Sequence, residues 1–394
     1  MSVLSLYADR SSIKFYLYQM EEEKLIADGE FSRIGLEGSY YTIHFDHENI
    51  KEEIEIVDHQ AAISLLPEKL MSLHVIQSFL EINGIGHRVV QGLDRYSSSV
   101  FANSKVLEDI QEAQDLAPSH NYGAYKTIEA CQNLFPDIPN VCVFDTAFHQ
   151  TLSLESYLYP VPYRWFTEYG VRKYGFHGTS HQFITNSVRD LLGKDHFRLI
   201  SCHLGDSGSI CAIKDMKSLD VSTGFSPLSG IMMGTKSGDI DPTIIPYIME
   251  KEGKNAAEVI EDLNVGSGLL GLSEYSNDLR DILSQCEEGN EKALLAKNKY
   301  IRRVVDYISQ YYVLLGGVDV IAFTAGVGEN SISIRREICE RLSCLGVGID
   351  LDLNRNQGEV TKISSRDSKV LVYVIPTNEE LLVARETVNL INNR

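Results

Sequence analysis

The sequence has 394 residues, 43% of them hydrophobic, so it can bury a large core, and its length favours two domains over one. A formal net charge of −19, with no run of lysine or arginine, argues against nucleic acid or an anionic membrane surface as a partner, because neutralising phosphates requires a basic face. The seven cysteines include no CxxC pair, and no apolar run approaches the roughly 18 residues of a membrane span, so we expect a soluble, cytoplasmic protein with reduced thiols.

The first part of the chain alternates predicted strands and helices. VLSLYADRSSIKFYLYQ, directly after Ser2, is typical of a strand, a polar turn and a second strand. Residues 40–60 are irregular and acidic and receive no assignment. Further strands are predicted at 86–90 and 140–144, with a helix at 104–114 between them.

A Pro- and Tyr-rich run at 157–170 interrupts this pattern and predicts a domain boundary near residue 150. Beyond it, LISCHLGDSGSICAIK at 199–214 repeats the opening strand-turn-strand plan, which suggests a duplicated fold. A helix is predicted at 292–316 and a strand at 319–323. A glycine loop follows, and then a helix capped by Asn330 or Ser331. The alternation predicts an α/β protein.

Glycines, small hydroxyls and acids are concentrated between His203 and Pro242, in HLGDSGS (203–209) and GTKSGDIDP (234–242). Glycine lets backbone N–H groups approach an anion closely, hydroxyls add donors, and nearby carboxylates can hold a metal ion that neutralises nucleotide charge. This composition indicates a phosphate-binding stretch.

Five blocks of the sequence together resemble the acetate kinase family: VFDTAFH (143–149), YGFHGTSH (174–181), GFSPLSGIMMGTKSGDIDP (224–242), FTAGVGENS (323–331) and PTNEELLVARET (376–387). The resemblance implies two duplicated ribonuclease-H-like, actin-like ATPase domains around a nucleotide cleft, in a homodimer. We expect an N-terminal acetate-kinase domain at 1–150, with a helix at about 378–394 packing back on it. We expect a C-terminal nucleotide-binding and dimerisation domain at 151–377.

The same resemblance implies a reaction. ATP, with magnesium, transfers its γ-phosphoryl group to acetate or another small carboxylic acid, and the products are an acyl phosphate and ADP. Both substrates are anions, so the site needs positive groups for each, and catalysis is mainly positioning and electrostatic stabilisation.

The resemblance assigns the acid and phosphoryl residues. Arg88 in GHRVVQG would hold the carboxylate with its planar fork, and Asp145 would accept a proton or position the substrate. His177 would stabilise the transferring phosphoryl group, beside His120, and Lys236 stands where the family has an arginine. The residues around the alkyl part of the acid would be Val90, Ser119, Phe176 and Pro227.

Each of these residues also has a simpler interpretation. Arg88 could form a surface ion pair, Asp145 could cap a helix, and the histidines could be structural. An HxxxH zinc pair of His177 and His181 is disfavoured, because Gly178 lies between them and no glutamate follows the first histidine.

The implied nucleotide contacts fall in four segments, and one acid is linked to the metal. The phosphate contacts would be Ser12, Lys14, His203, Leu204, Gly205, Asp206, Ser207, Gly326, Val327, Gly328, Glu329 and Asn330. The adenosine end would meet Asp278, Leu279 and Arg280 in NDLRD. The magnesium-linked glutamate would be Glu379.

Several site positions depart from the family pattern. In the opening loop, this chain has YADRSSIKF where the family has approximately NAGSSSLKF. Tyr7 therefore replaces an asparagine linked to magnesium, and Asp9 and Arg10 replace a glycine and a serine. A charged side chain in place of that glycine reshapes or blocks the loop. In HLGDSGS (203–209) Asp206 replaces an asparagine. Lys236 keeps a positive charge but loses the two-point contact of arginine, which in comparable roles is worth roughly 10³–10⁵ in rate.

Two hypotheses follow. In the first, the chain is an active carboxylate kinase of reduced rate in which Asp9 or Asp206 replaces the lost amide oxygen as a magnesium ligand. Its acid pocket is more polar through Ser119, so the acid need not be acetate. In the second, the chain is a catalytically weak homologue that acts as a nucleotide-binding or regulatory protein. The retained arginine, histidines and acids favour the first.

Overall fold

The computed structural model describes residues 1–355 and 358–393. The chain divides into two units, one formed by Met1–Gln150 with Asn378–Arg394 and the other by Thr151–Thr377. Each unit has a hydrophobic core of its own, built on a sheet.

Eight strands and three helices make up the first unit up to residue 150. In chain order they are β1 (Ser2–Asp9), β2 (Ser12–Gln19), β3 (Lys24–Ser32), β4 (Tyr40–Phe45), β5 (Glu48–Glu53), α1 (His59–Ser72), β6 (Ile82–Val89), β7 (Val100–Phe101), α2 (Ser104–Glu112), α3 (Pro118–Leu134) and β8 (Asn140–Phe144). The predicted opening hairpin, the later strands and the helix are confirmed. The unassigned residues 40–60 contain β4 and β5. No apolar alternation marks β5, because it is an edge strand with most residues exposed.

Among its described residues the second unit holds six strands and ten α-helices, and the chain then returns to the first unit. Its elements are α4 (Leu154–Tyr157), α5 (Arg164–Tyr169), α6 (Gly178–Leu192), β9 (Arg198–Leu204), β10 (Gly208–Lys214), β11 (Lys217–Val221), α7 (Ile244–Glu252), α8 (Ala256–Val265), α9 (Gly268–Ser273), α10 (Leu279–Glu287), α11 (Glu291–Leu314), β12 (Val320–Thr324), α12 (Ala325–Asn330), α13 (Ile332–Arg341), β13 (Thr361–Lys362) and β14 (Leu371–Val374). The last helix, α14 (Glu379–Asn392), packs on β1 and β6.

The two sheets share one plan. The first has the order β5-β4-β3-β2-β1-β6-β8-β7, and the second has the order β11-β10-β9-β12-β14-β13. In both, an antiparallel hairpin is followed by two strands parallel to its first strand: β6 and β8 in the first sheet, β12 and β14 in the second. The predicted duplication is therefore visible strand by strand.

Helix length and polarity bear on membrane insertion. Within the described ranges, no helix combines the length and the apolar character that crossing a bilayer demands. Even the 24-residue α11 alternates buried with charged positions.

Candidate active site

Three charged side chains meet at the carboxyl edge of the first sheet. Arg88 lies near the end of β6, Asp145 directly follows β8, and Glu379 opens α14. Arg88 donates from Nε to Asp145 Oδ1 (3.0 Å) and from Nη2 to Asp145 Oδ2 (2.6 Å), and Nη2 is also 3.3 Å from Glu379 Oε2. The Asp145 side chain is only 2% exposed, whereas Arg88 is 21% exposed. The guanidinium is thus held by two carboxylates, while part of the Arg88 side chain stays exposed.

The electrostatics of this cluster favour a charged arginine. Burial alone would lower the pKa of Arg88, but Asp145, Glu379 and Tyr7 outweigh it and raise that pKa well above its ordinary value. Nη1 forms no hydrogen bond within the described part of the chain. It is the nitrogen of the fork that remains available to a ligand.

Tyr7 covers the other face of Arg88. In the strand register Tyr7 lies beside Lys14 of β2 and Arg88 of β6, and the Arg88 guanidinium carbon is 5.0 Å from the centre of its ring. Its hydroxyl is buried and finds no hydrogen-bond partner among the described residues. Burial, with Glu380 as the next cause, raises the pKa of Tyr7 well above its ordinary value, so the phenol stays neutral.

The charged turn after Tyr7 is packed against α1 and α3. The carbonyl of Asp9 lies 2.9 Å from Nε2 of His59, and its carboxylate accepts from the N–H of Arg10 (2.8 Å) and lies 3.6 Å from Nδ1 of His120. A Cβ on Gly123 would lie 2.3 Å from the Asp9 carbonyl oxygen, so only glycine allows this approach. The turn is therefore held by contacts from both helices, and its reshaping relative to the family loop stays a prediction.

The four residues predicted around the acid divide between the units. Val90 follows β6 and Ser119 lies in the first turn of α3, both half-buried in the first unit. Phe176 and Pro227 lie in the second unit, where Phe176 is 2% exposed.

A network of histidines and serines occupies the second unit. His177, at the start of α6, has Nδ1 2.9 Å from Ser209 Oγ and Nε2 3.0 Å from Ser207 Oγ. Its ring stacks on His203 at 4.3 Å between centres. His181 lies 2.8 Å from the same Ser209 hydroxyl. Serine hydroxyls therefore fix the His177 ring on both edges. One of them, Ser207, lies in HLGDSGS (203–209), next to the altered residue Asp206.

A cavity of about 630 Å³ lies in the second unit, large enough for a nucleoside. Its lining includes eight predicted nucleotide contacts: Gly205, Asp206, Asp278, Leu279, Arg280, Gly326, Val327 and Asn330. It also includes residues that sequence reasoning missed: Gly234, Leu269, Asn277, Leu283, Tyr300, Ser331, Ile332, Ser333 and Arg336. Helical spacing could have found Leu283, four residues after Leu279, and Arg336, four after Ile332; no sequence signal pointed to Tyr300.

Other predicted nucleotide contacts have partners within the protein. Leu204 is fully buried in the core, and His203 bonds Ser180 through Nδ1 (2.7 Å). The Glu329 carboxylate accepts from the backbone N–H groups of Ala325 (2.7 Å) and Thr377 (3.1 Å).

The glycine segment after β12 is a short helix, α12, and the expectation of a loop there is wrong. Ala325 adopts a left-handed φ of 63° at the strand end, and Glu329 caps the N–H of that same residue. Beneath the helix, fully buried Arg335 donates to the carbonyls of Gly328 (3.0 Å) and Glu329 (2.7 Å). Ser331 is the N-cap residue of α13, but its side chain makes no capping bond.

Lys236 lies in the stretch between β11 and α7. It is half-buried, and its carbonyl accepts from the N–H of Met233 (3.0 Å). Nearby, Asp239 Oδ1 accepts from the N–H of Gly230 (2.8 Å), which closes the segment on itself. The backbone that presents Lys236 is therefore well fixed.

Comparisons with known proteins agree along the whole chain. Residues 2–385 match the acetokinase family. "Acetate kinase 1" of Listeria monocytogenes is 47% identical over 393 residues, covering 99% of both chains. The crystal structure of Porphyromonas gingivalis acetate kinase superimposes with a TM-score of 0.96 at 39% identity, and that of a propionate kinase from Francisella tularensis with 0.92 at 36%, each covering 99% of both chains.

The two sheets and this structural likeness define an α/β protein with the duplicated actin-like ATPase fold. The class is that of kinases acting on a carboxylate. Within that class, the chain belongs to the acetokinase family.

Proposed function

We propose that this protein transfers the γ-phosphoryl group of ATP to a short-chain carboxylate, acetate or a close relative, and forms an acyl phosphate and ADP. The observation that carries the proposal is the guanidinium of Arg88, which Asp145 holds at the carboxyl edge of the first sheet with Nη1 left open. Ligands of open α/β sheets bind at this edge. A fixed, partly exposed guanidinium is suited to a carboxylate.

The acid reacts as a carboxylate. It is already ionised at neutral pH, so the step needs no general base. The Asp145 carboxylate is occupied by the Nε and Nη2 groups of Arg88, which supports positioning of the arginine as its role. Four side chains would surround the alkyl part of the acid: Val90, Ser119, Phe176 and Pro227.

The phosphoryl group in transfer would be stabilised by His177, Lys236 and His120. The hydroxyls that fix both edges of the His177 ring keep it from turning away, which favours electrostatic stabilisation by a preorganised group. The nucleoside would occupy the cavity of the second unit, with Asp278, Leu279 and Arg280 at its adenosine end. The remaining proposed phosphate contacts are Ser12, Lys14, His203, Leu204, Gly205, Asp206, Ser207, Gly326, Val327, Gly328, Glu329 and Asn330.

Magnesium fits this chain as an ion bound mainly to nucleotide phosphates. Among the described residues, no cluster of three or more His, Cys, Asp or Glu side chains is placed to hold a metal. Mg²⁺ commonly keeps several waters and takes one or two carboxylates plus substrate phosphates, so Glu379, with Asp206 or Asp9, would suffice. When bound, the ion would neutralise charge on the phosphates. Tyr7 offers no ligand there, since its neutral phenol stacks on Arg88.

We further infer a cytoplasmic homodimer in which the first unit carries Arg88 and Asp145 and the second binds nucleotide and forms the dimer contact. The seven free thiols support a reducing compartment. Exposed large side chains of the second unit, among them Tyr163, Trp165, Tyr169 and Tyr247, support an interface there.

A hydroxamate-trap assay tests the function. Purified protein with ATP, magnesium and acetate, propionate or butyrate should give acyl hydroxamate, and Arg88→Ala should abolish most of it. Calorimetry would accompany the assay. ATP binding without acyl phosphate from any acid would contradict the proposal and support a nucleotide-binding or regulatory role.

A further inference from the structure

The turn between β1 and β2 places two charges at the edge of the sheet where Arg88 and Asp145 lie. In the strand register Tyr7 pairs with Arg88, and the turn begins just beyond it with Asp9 and Arg10. Because β1, β6 and β8 are parallel, their carboxyl ends share this edge. The turn therefore belongs to the part of the unit where ligands of such sheets bind.

The backbone of the turn is held in place from two helices. His59, which is 5% exposed, contacts the Asp9 carbonyl at 2.9 Å from α1. Gly123 of α3 lies so close to the same carbonyl that no Cβ would fit. The Asp9 carboxylate closes the turn onto the N–H of Arg10 (2.8 Å) and lies 3.6 Å from His120. Arg10 therefore projects from a defined position.

The side chain of Arg10 is exposed, contacts an aromatic ring and forms no ion pair with any described residue. Its guanidinium carbon is 5.9 Å from the ring centre of Tyr122, which in turn packs edge-on against His59 at 6.0 Å. No carboxylate in residues 1–355 and 358–393 forms an ion pair with it. A guanidinium that rests on an aromatic ring is oriented at little entropic cost and keeps its N–H donors for a ligand.

We propose that Arg10 is a further substrate-binding residue, whose guanidinium contacts phosphoryl oxygens of the acyl phosphate at the carboxyl edge of the first sheet. The inference rests on the proposed function. A planar guanidinium can contact two phosphoryl oxygens at once. In a chain of net charge −19, an exposed cation that forms no ion pair among the described residues is suited to an anionic ligand.

The test compares three variants with the wild type: Arg10→Ala, Arg10→Lys and, as a matched control, Arg366→Ala. Arg366 also lies in an exposed turn, in the second unit. The probe is acetyl phosphate in the absence of nucleotide, measured by calorimetry, with steady-state kinetics in parallel. Arg10→Ala should weaken acetyl phosphate binding about tenfold or more, the loss expected for a hydrogen bond to a charged group. Arg10→Lys should fall between Arg10→Ala and wild type, and Arg366→Ala should match wild type.

The outcomes separate the two proposals. If the wild type binds acetyl phosphate and makes hydroxamate while Arg10→Ala binds within twofold of it, the inference about Arg10 is overturned and the function stands. If the wild type does neither, the function fails and the inference with it. Thermal unfolding followed by circular dichroism checks that substitutions at these exposed positions leave the fold intact. If Arg10→Ala does not fold, the affinity of Arg10→Lys for acetyl phosphate tests the proposal instead.

Discussion

Removing the side chain of Arg88 should affect stability as well as activity. The Asp145 carboxylate is 2% exposed and takes two hydrogen bonds from Arg88, so Arg88→Ala removes both of these donors and a positive charge from a buried carboxylate. Breaking a buried ion pair from one side costs about 3–5 kcal/mol. Because Arg88 itself is 21% exposed and water can enter, we expect the lower end, about 3 kcal/mol.

A double-mutant cycle isolates the free energy that the Arg88–Asp145 pair contributes to stability. Urea unfolding followed by circular dichroism would compare Arg88→Ala, Asp145→Asn and the combined variant. The combined variant should be more stable than Arg88→Ala alone, because the buried carboxylate no longer carries a charge. In parallel, kcat/KM for acetate should fall by at least about a hundredfold in Arg88→Ala, from the loss of charged hydrogen bonds to the acid. A loss of stability below about 1 kcal/mol, or strictly additive effects, would refute the reasoning.

Three further predictions concern other parts of the chain. Lys236→Arg combined with Asp206→Asn should raise kcat in the hydroxamate assay, since it restores a planar guanidinium and removes a carboxylate near phosphate; an unchanged kcat would place the limitation in the opening loop. Ser207→Ala should lower kcat up to about fivefold, because it removes one of the two hydroxyls that fix the His177 ring, a hydrogen bond worth about 1 kcal/mol, and a rise would mean that the hydroxyl competes with the phosphoryl group for Nε2 instead. Burial lowers the pKa of His87 to about 4 in the folded protein, so the free energy of unfolding should fall by about 1–2 kcal/mol between about pH 7 and about pH 5, as the histidine of the unfolded chain takes up a proton. Urea unfolding of His87→Gln should show a smaller fall over the same pH range, and an equal fall would exclude His87 as its cause.

Much of the architecture follows from local pattern. The opening hairpin, α11 and β8 were predictable because periodicity and turn residues specify them locally. The edge strand β5 was not, because an exposed strand carries no apolar signature. The helical form of α12 also escaped prediction, since it depends on the Glu329 carboxylate capping a strand end.

The candidate site was predictable as a list of residues but not as a set of contacts. The resemblance identified Arg88 and Asp145, yet their two-point pairing depends on β6 and β8 lying side by side. Tyr7 was recognised as a replacement, but its stacking on Arg88 follows from strand register. Tyr300 lines the cavity of the second unit from α11, far along the chain from the glycine-rich segments, so no spacing rule applies to it.

The central claim is that this chain forms an acyl phosphate despite its altered residues at Tyr7, Asp206 and Lys236. Phosphorus NMR of the purified protein with ATP, magnesium and acetate tests it most directly. We predict an acyl phosphate resonance that grows in step with ADP and depends on the acid. ATP that binds but remains intact, or ADP that forms without an acyl phosphate for any acid, would contradict the account.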